Sequence, residues 1–547
     1  PHGSLVPLLF SLRTRRNARS LTNREGERKK IFKTSPPNPS STAAMDRAPP
    51  RGAPRDAVGQ RWLAVFAFQA ALWAAASVLH LAVSPSRRHP NLGVPPPFLL
   101  GLHPPLSSAG TGLLALAFLI SASPHPGPPP VPKLALAASL FASAGALCVA
   151  AAASLVPKDA GWAAVAGLGV RGAVLGAVFA AHYFGRGRWL LQFPVVQRPM
   201  FYGLKMGLLP SIKRALKMSL QVFLLSLVLI LFLPRQFRMG GSIGSQIITQ
   251  IAIFIVTTGV SFCWEISHHF VQVVHTRRCS FTPPQSSAAA ETNPTDYILE
   301  TLELSNPRSL IQYLAFQDLC AVSECNIEPW RRAALFEESG ETYKRIVTAC
   351  LKPLEEFTSK IAEALEGFTS ERPELLLQQS KLYGAFSDSQ ICSWCARTLA
   401  TLTARSRQED RYGVAQLTGC NAAVMSTLLS ALVAVEACLG KKTNPQPAHS
   451  LGPASIRWGN FSTARKGNVT AIASTQRGGL HTKAHSMADV FRTSIYQIVS
   501  AFLDDMRANA KASSLEKNWI SEGRKPIYGS RAVLVQKLSL FIEYRAV

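Results

Sequence analysis

Residues 62–83, WLAVFAFQAALWAAASVLHLAV, contain no Asp, Glu, Lys or Arg. A helix needs about 20 predominantly apolar residues to cross the hydrocarbon core of a bilayer, and this segment is long enough. Five further apolar segments follow, at residues 98–120, 134–156, 161–184, 219–233 and 247–266. Pro104 and Pro105 interrupt the second segment, and the fifth is short. The sequence therefore predicts a polytopic α-helical membrane protein with six transmembrane helices in its first half.

The composition of the chain agrees with membrane insertion. Only 16% of the 547 residues are charged, against about 25% in typical soluble proteins, and the mean hydropathy is +0.13. Between Asp56 and Glu265, Asp159 is the single acidic residue. This distribution excludes an ordinary soluble enzyme for the first half of the chain. Residues 1–44 contribute +7 of the net charge of +26. Much of the remaining +19 lies beside apolar segments, where it sets membrane orientation and meets anionic lipid, so we expect no direct nucleic-acid binding.

The basic residues of the loops predict the orientation of the spans. Residues 185–217 carry seven Lys or Arg and no acid, and the segment before the first span is also basic. Cytosolic loops carry an excess of Lys and Arg. We therefore expect a transmembrane domain at residues 61–279 with both termini and the 185–217 loop on the cytosolic side.

The 185–217 loop mixes aromatic and basic residues, which favours a segment that lies at the membrane interface. Ordinary positive flanking of the spans is an equally good interpretation. The candidate membrane-interface residues are Trp189, Phe193, Arg198, Lys205, Lys213, Arg214 and Lys217.

Gly172 and Gly176 suit a close helix–helix contact within the fourth span, because small residues four apart let two backbones approach. Residues 167–172 also match the G-x-G-x-x-G pattern of dinucleotide sites. Such a site needs a preceding strand and an acidic residue about 20 positions later. Neither is present, so we expect no nucleotide there.

Residues 280–547 are predicted to form a mainly α-helical soluble domain. We assign a first helical part to residues 280–439, a flexible linker to 440–483, and an amphipathic helix with a C-terminal tail to 484–547. Within the first part, Asn306 and Pro307 predict a helix N-terminus, and further helices are predicted at 374–403 and 410–439. In the last part, apolar residues recur every three or four positions over 484–511, so Phe491, Ile495 and Phe502 are expected to be buried.

No catalytic, metal or cofactor site is predicted. Cys392 and Cys395 form a C-x-x-C, but neither a βαβ setting nor a second ligand pair accompanies it. His268, His269 and His275 follow the sixth span and are interpreted as interfacial histidines rather than metal ligands.

The first methionine is Met45, and residues 1–44 carry nine Lys or Arg and two Glu. We interpret residues 1–44 as a non-native or untranslated leader and residues 45–60 as a cytosolic N-terminal segment. A transit peptide is the alternative for residues 1–44, since Arg-rich and Ser-rich composition is typical of such peptides.

Three motifs carry a resemblance to a known family: LLQFPVVQ at residues 190–197, NPRSLIQYLAFQDL at 306–319 and QEDRYGVAQ at 408–416. With six spans and a helical C-terminal half, they resemble the Ndc-type (nuclear division cycle) transmembrane nucleoporins, and the Pro- and Gly-rich character is similar to plant members. The family-motif residues are Asn306, Pro307, Tyr313, Leu314, Gln317, Asp318, Glu409, Asp410, Arg411 and Gly413.

The resemblance implies a structural membrane nucleoporin that anchors the nuclear pore complex in the nuclear envelope and supports its assembly. It implies no enzymatic activity, and partners among the inner-ring nucleoporins together with an Aladin-like nucleoporin. The alternative is a six-span endomembrane transporter or channel with a cytosolic helical domain. A transporter is expected to carry ionisable residues at the middle of the membrane, and these spans carry almost none.

Overall fold

The computed structural model describes residues 53–83, 97–127, 129–152, 162–232, 243–283, 294–326, 328–366, 375–440, 468–520 and 525–543. The predicted leader at 1–44 and the candidate N-terminal segment up to residue 52 lie outside these ranges. Within them the structure is helical and contains no strand, apart from an isolated bridge between Ser123 and Leu190. The predicted fold class is confirmed.

Six long helices form the first half. They are α1 (Ala53–Val83), α2 (Pro97–Ser121), α3 (Val131–Ala150), α4 (Trp162–Gly185), α5 (Met200–Phe232) and α6 (Ile243–Thr276). In α1, α2, α3, α4 and α6, segments are apolar and long enough to cross a membrane, and they coincide with the first four predicted spans and the sixth.

The predicted fifth span forms the second half of α5, which pairs with α6 as an antiparallel hairpin. Ser219 donates a hydrogen bond to Ser261 (3.1 Å), and the rings of Phe223 and Phe254 lie 5.6 Å apart. On the opposite face Leu220, Leu224 and other large apolar side chains are exposed, as expected for a helix that faces lipid. We therefore assign all six helices to the membrane domain.

Glycine backbones bring α3 and α4 into contact. A Cβ atom on Gly172 would lie 2.1 Å from the carbonyl oxygen of Gly145, and one on Gly176 would lie 2.1 Å from that of Phe141. Neither position has room for a side chain. The two helices thus approach at a distance that only small residues permit.

The C-terminal half consists of helices of varied length around one core. They are α7 (Asp296–Leu304), α8 (Leu310–Glu324), α9 (Pro329–Ala333), α10 (Glu341–Glu366), α11 (Leu375–Ala385), α12 (Ser389–Glu409), α13 (Val414–Leu417), α14 (Cys420–Gly440), α15 (Asn468–Ala501), α16 (Leu503–Lys511), α17 (Leu515–Trp519) and α18 (Arg531–Ile542).

Helix α14 is apolar and long enough to cross a membrane, but it is the centre of the C-terminal core. Val424, Leu428 and Leu432 are fully buried. Glu436, on the same helix, pairs with Arg492 (2.9 Å) and with a lysine of α18 (2.8 Å). A helix that is apolar on all sides needs either lipid or protein around it, and here α10, α12 and α15 surround it.

The helix start predicted at Asn306 and Pro307 is wrong. The helix begins at Leu310, and Ser309 is its N-cap, because the Ser309 hydroxyl accepts a hydrogen bond from the amide of Gln312. Arg308, which lies between Pro307 and Ser309, has a positive φ of 64°, so the chain changes direction before the helix begins. Ser is as good an N-cap as Asn, so the motif alone did not distinguish the two registers.

The helix predicted at 410–439 is also wrong in its first turns. Helix α12 ends at Glu409, and a turn through Gly413 (φ 68°) leads to the short α13 before α14 begins at Cys420. Glycine adopts this conformation readily, whereas a side chain strains it.

Helix α15 begins at Asn468, so residues 468–483 of the predicted linker are helical, and this stretch contains no proline that would prevent it. Residues 441–467 lie outside the described ranges.

The predicted burial of Phe491, Ile495 and Phe502 is confirmed. The C-terminal tail joins the same core through Trp519, whose ring lies 5.2 Å from that of Phe502.

The α3–α4 contact gives a first prediction. Gly172→Ala places a methyl group against the Gly145 carbonyl oxygen and should destabilise the full-length protein by about 1–3 kcal/mol through overpacking. Gly169→Ala is the matched control, because its Cβ would lie 3.9 Å from the nearest atom. Thermal unfolding in detergent measures both, and equal midpoints would contradict the close packing.

Candidate functional site: the junction between the membrane helices and the C-terminal helices

The junction begins where the membrane helices end. The guanidinium of Arg61, near the start of α1, donates to the carbonyl oxygens of Val274 (3.0 Å), His275 (2.7 Å) and Arg277 (2.6 Å). The last carbonyls of a helix have no partner within the helix. Arg61 supplies that partner, and its positive charge complements the helix C-terminus. These hydrogen bonds hold the C-terminal end of α6 against α1.

Asp318 on α8 holds the segment that leaves α6. Its carboxylate is fully buried and accepts from Arg278 Nε (2.8 Å), Arg331 Nη2 (2.7 Å) and the backbone amide of Phe281 (3.0 Å). Glu328 completes the cluster through Arg331 (2.7 Å) and Arg278 (3.2 Å). Two arginines and two carboxylates therefore neutralise one another at the joint.

The buried cluster shifts the pKa of Arg331. Burial by itself lowers the pKa of this guanidinium, but hydrogen bonds and charges from Asp318 and Glu328 outweigh it and raise the pKa above its ordinary value. Arg331 thus stays charged, and each member of the cluster depends on its partners for compensation.

Two further side chains of α8 contact the membrane half. Gln317 donates to the carbonyl oxygen of Thr276, the last residue of α6 (3.3 Å). Tyr313, one turn earlier, stacks on Phe193 with ring centres 5.6 Å apart, and Trp394 of α12 meets Phe193 edge-on at 5.3 Å. The loop after α4 therefore inserts an aromatic ring into the C-terminal domain.

The loop after α2 makes a third contact. His125 Nδ1 lies 3.2 Å from a carboxylate oxygen of Asp388, which also pairs with Arg308 (3.2 Å) and Lys360 (3.4 Å). Burial lowers the pKa of His125 more than Asp388 raises it, and Arg308 lowers it further. The segments after α2, α4 and α6 thus all meet the C-terminal helices on one side of the membrane domain.

The third family motif, at residues 408–416, organises the turn between α12 and α13. Glu409 accepts two hydrogen bonds from Arg332 (2.7 and 2.8 Å) and one from Arg405 (3.0 Å). Asp410 accepts from the backbone amides of Tyr412 (3.2 Å) and Ala415 (2.8 Å). Burial would raise the pKa of Glu409, but the arginine partners lower it overall.

The remaining motif positions are peripheral to these contacts. Leu314 is buried in the core of the domain, whereas Asn306, Pro307 and Arg411 are exposed. Gly413 supplies the positive φ of the turn.

The structure separates the candidate membrane-interface residues into two groups. Arg198, Lys205, Lys213 and Lys217 are exposed, in keeping with either interpretation of the loop. Trp189 is 8% exposed inside the bundle and Phe193 packs on the C-terminal domain, so both rings have protein partners. Arg214 is partly buried and pairs with Glu265. A mixed aromatic and basic composition does not reveal which side chains have protein partners.

Sequence reasoning missed the ion cluster around Glu265. This carboxylate is 1% exposed and binds Arg188 at 2.7 Å through both oxygens and Arg214 at 2.8 Å. His268 lies 3.1 Å from Arg188. A signal was present in the sequence, since a lone carboxylate in an apolar span needs a cationic partner.

No constellation of metal ligands occurs in the described ranges. Cys392 and Cys395 of the C-x-x-C lie buried on α12, and burial raises the pKa of both thiols. The thiolate is the reactive form of cysteine, so this environment favours an inert pair.

The Asp318 cluster gives a second prediction. Asp318→Asn removes the fully buried carboxylate that pairs with Arg278 and Arg331 and leaves Glu328 to compensate two guanidinium groups, so it should cost about 3–5 kcal/mol of stability. Glu303→Gln removes an exposed pair with Arg345 (2.8 Å) and should cost at most about 1 kcal/mol. Thermal unfolding of the full-length protein compares the two, and equal losses would show that the buried cluster is not a stabilising joint.

Comparison with known proteins identifies a family whose characteristic sequence includes the junction. The family model described as Nucleoporin protein Ndc1-Nup matches residues 168–381 and 376–511, which is more than half of the chain. A comparison with curated proteins gave no significant match. The matched ranges contain α5, α6, the Asp318 cluster and the Glu409 turn. The chain belongs to the Ndc1-Nup family of nucleoporins.

Proposed function

We propose that this protein anchors the nuclear pore complex in the nuclear envelope and supports pore assembly. Family membership and the apolar helices indicate a multi-pass nucleoporin of the pore membrane. The observation that carries the anchoring role is the junction, where Asp318, Phe193 and Arg61 each join a membrane segment to another element. A scaffold bound to the C-terminal helices is thereby coupled to six membrane helices.

The proposed orientation places both termini on the cytosolic and pore side. The loops after α2 and α4 and the segment after α6 meet the C-terminal helices, so they share one face of the membrane. These segments include the most basic loop of the chain, and basic loops remain in the cytosol.

The proposed partners are inner-ring nucleoporins and an Aladin-like nucleoporin. The α12–α13 turn offers a surface for them, because Tyr412 and Leu417 are 54% and 84% exposed on a turn held by Asp410. When the backbone that carries exposed apolar side chains is already held in place, a partner loses little free energy in ordering it on binding.

Localisation tests the anchoring role. A C-terminal fluorescent tag should give a punctate nuclear rim, because an anchor concentrates at pores. The Asp318→Asn variant should weaken the rim signal, whereas Glu303→Gln should retain it. A plasma-membrane or plastid signal would contradict the proposal and favour the transporter alternative.

Glycosylation tests the orientation. Asn460 and Asn468 are acceptor sequons; Asn460 lies outside the described residues and Asn468 begins α15. A cytosolic C-terminal half should leave both unmodified, so endoglycosidase should not change the mobility of the extracted protein. A shift that disappears in Asn460→Gln, Asn468→Gln would place this half in the lumen.

Binding tests the proposed surface. Replacing Tyr412 and Leu417 with Ala in the full-length protein should reduce capture of purified inner-ring nucleoporins by about tenfold, a loss typical of removing anchor side chains. Tyr496→Ala is the control, since Tyr496 is also exposed (43%) but lies on α15. Undiminished capture by the double variant would exclude this turn as the contact.

A further inference from the structure

A basic cavity of about 780 Å³ lies where α5 and α6 meet the loop after α4. It is large enough for a small-molecule ligand. The side chain of His269 forms part of its wall, where it bonds to the carbonyl oxygen of Gly203 (2.9 Å) and leaves no space for a Cβ on Gly207. The cationic lining residues are Arg186, Arg188, Arg198, Arg214 and Arg277.

The charge of this cavity is only partly compensated. Glu265 binds Arg188 and Arg214, so one carboxylate serves two guanidinium groups. In the part of the chain that the structure describes, no carboxylate pairs with Arg186, Arg198 or Arg277. Among the described residues, the Arg198 guanidinium donates a hydrogen bond to the sulfur of Met206. The cavity therefore has an excess of positive charge suited to a multiply charged anion.

The position of the cavity indicates where the anion comes from. Arg186 directly follows the fourth span, and Arg277 directly follows the sixth, so the basic wall lies at the level of lipid headgroups. The lining also includes Val196 and Met206, which are 67% and 59% exposed, and the exposed Leu209 follows on α5. A charged group beside an apolar path matches a lipid headgroup and its chains better than a soluble anion.

We propose that this cavity binds the phosphorylated headgroup of an anionic membrane lipid. Arg186, Arg198 and Arg277 contact the phosphate groups. Arg188 and Arg214, which pair with Glu265, line the floor of the cavity. Bound lipid fills the gap between the loop after α4 and the end of α6. The same loop carries Phe193 into the C-terminal domain, so the lipid steadies the junction from its membrane side.

The test measures binding of a short-chain phosphatidylinositol phosphate to the full-length protein in neutral detergent. The variant Arg186→Gln, Arg198→Gln, Arg277→Gln should weaken binding by about tenfold or more. The control Lys205→Gln, Lys213→Gln, Lys217→Gln removes the same charge from exposed residues of α5 that do not line the cavity, and should change binding little. The three arginines are exposed, so both variants should unfold at the wild-type temperature.

Four results would overturn the proposal. Equal losses in the two triple variants would show diffuse surface attraction instead of a site. Equal binding of phosphatidylcholine would remove the role of the anionic headgroup. Tight binding of soluble inositol phosphate without acyl chains would assign the cavity to a free phosphate ligand, and displacement of the lipid by RNA would assign it to nucleic acid. None of these readouts depends on nucleoporin partners, so the anchoring role is tested separately.

Discussion

A carboxylate with no solvent access needs several strong partners, and Asp318 obtains all of them from one segment and one neighbouring helix. Arg278 and the Phe281 amide come from the chain that leaves α6, while Arg331 comes from α9. Removal of any member leaves an uncompensated charge or an unsatisfied amide inside the protein. The exit of the chain from the membrane domain is therefore fixed by electrostatics as well as by packing.

Around this joint, the membrane half and the C-terminal half use different means of cohesion. The spans pack through small residues, as where Gly172 meets Gly145, because lipid gives apolar side chains no preference for protein. The C-terminal helices surround the apolar α14, so water drives their assembly. The junction uses both means: the half-buried Phe193 packs against the C-terminal core, and Arg61 donates hydrogen bonds to helix-end carbonyls.

The basic cavity and the Asp318 cluster are joined by the short segment after α6. Arg277 lines the cavity, and the next residue, Arg278, pairs with Asp318. Two consecutive arginines thus have different environments: Arg277 lines the cavity, and Arg278 contacts the buried Asp318. Such an arrangement places the basic cavity directly beside the Asp318 cluster.

The sequence by itself indicated six apolar segments in the first half, the helical class and the buried face of α15, because length and periodicity are local properties. It also singled out Tyr313, Gln317 and Asp318 through the family motif. The sequence placed a helix at 410–439 in the C-terminal half, but only the tertiary structure showed that α14 is the centre of the core, since its composition equally suits a membrane span. It likewise decided that Phe193 faces Trp394 and that Glu265 pairs with Arg188. These contacts join residues over 70 positions apart, and no local pattern encodes which distant partner a side chain will meet.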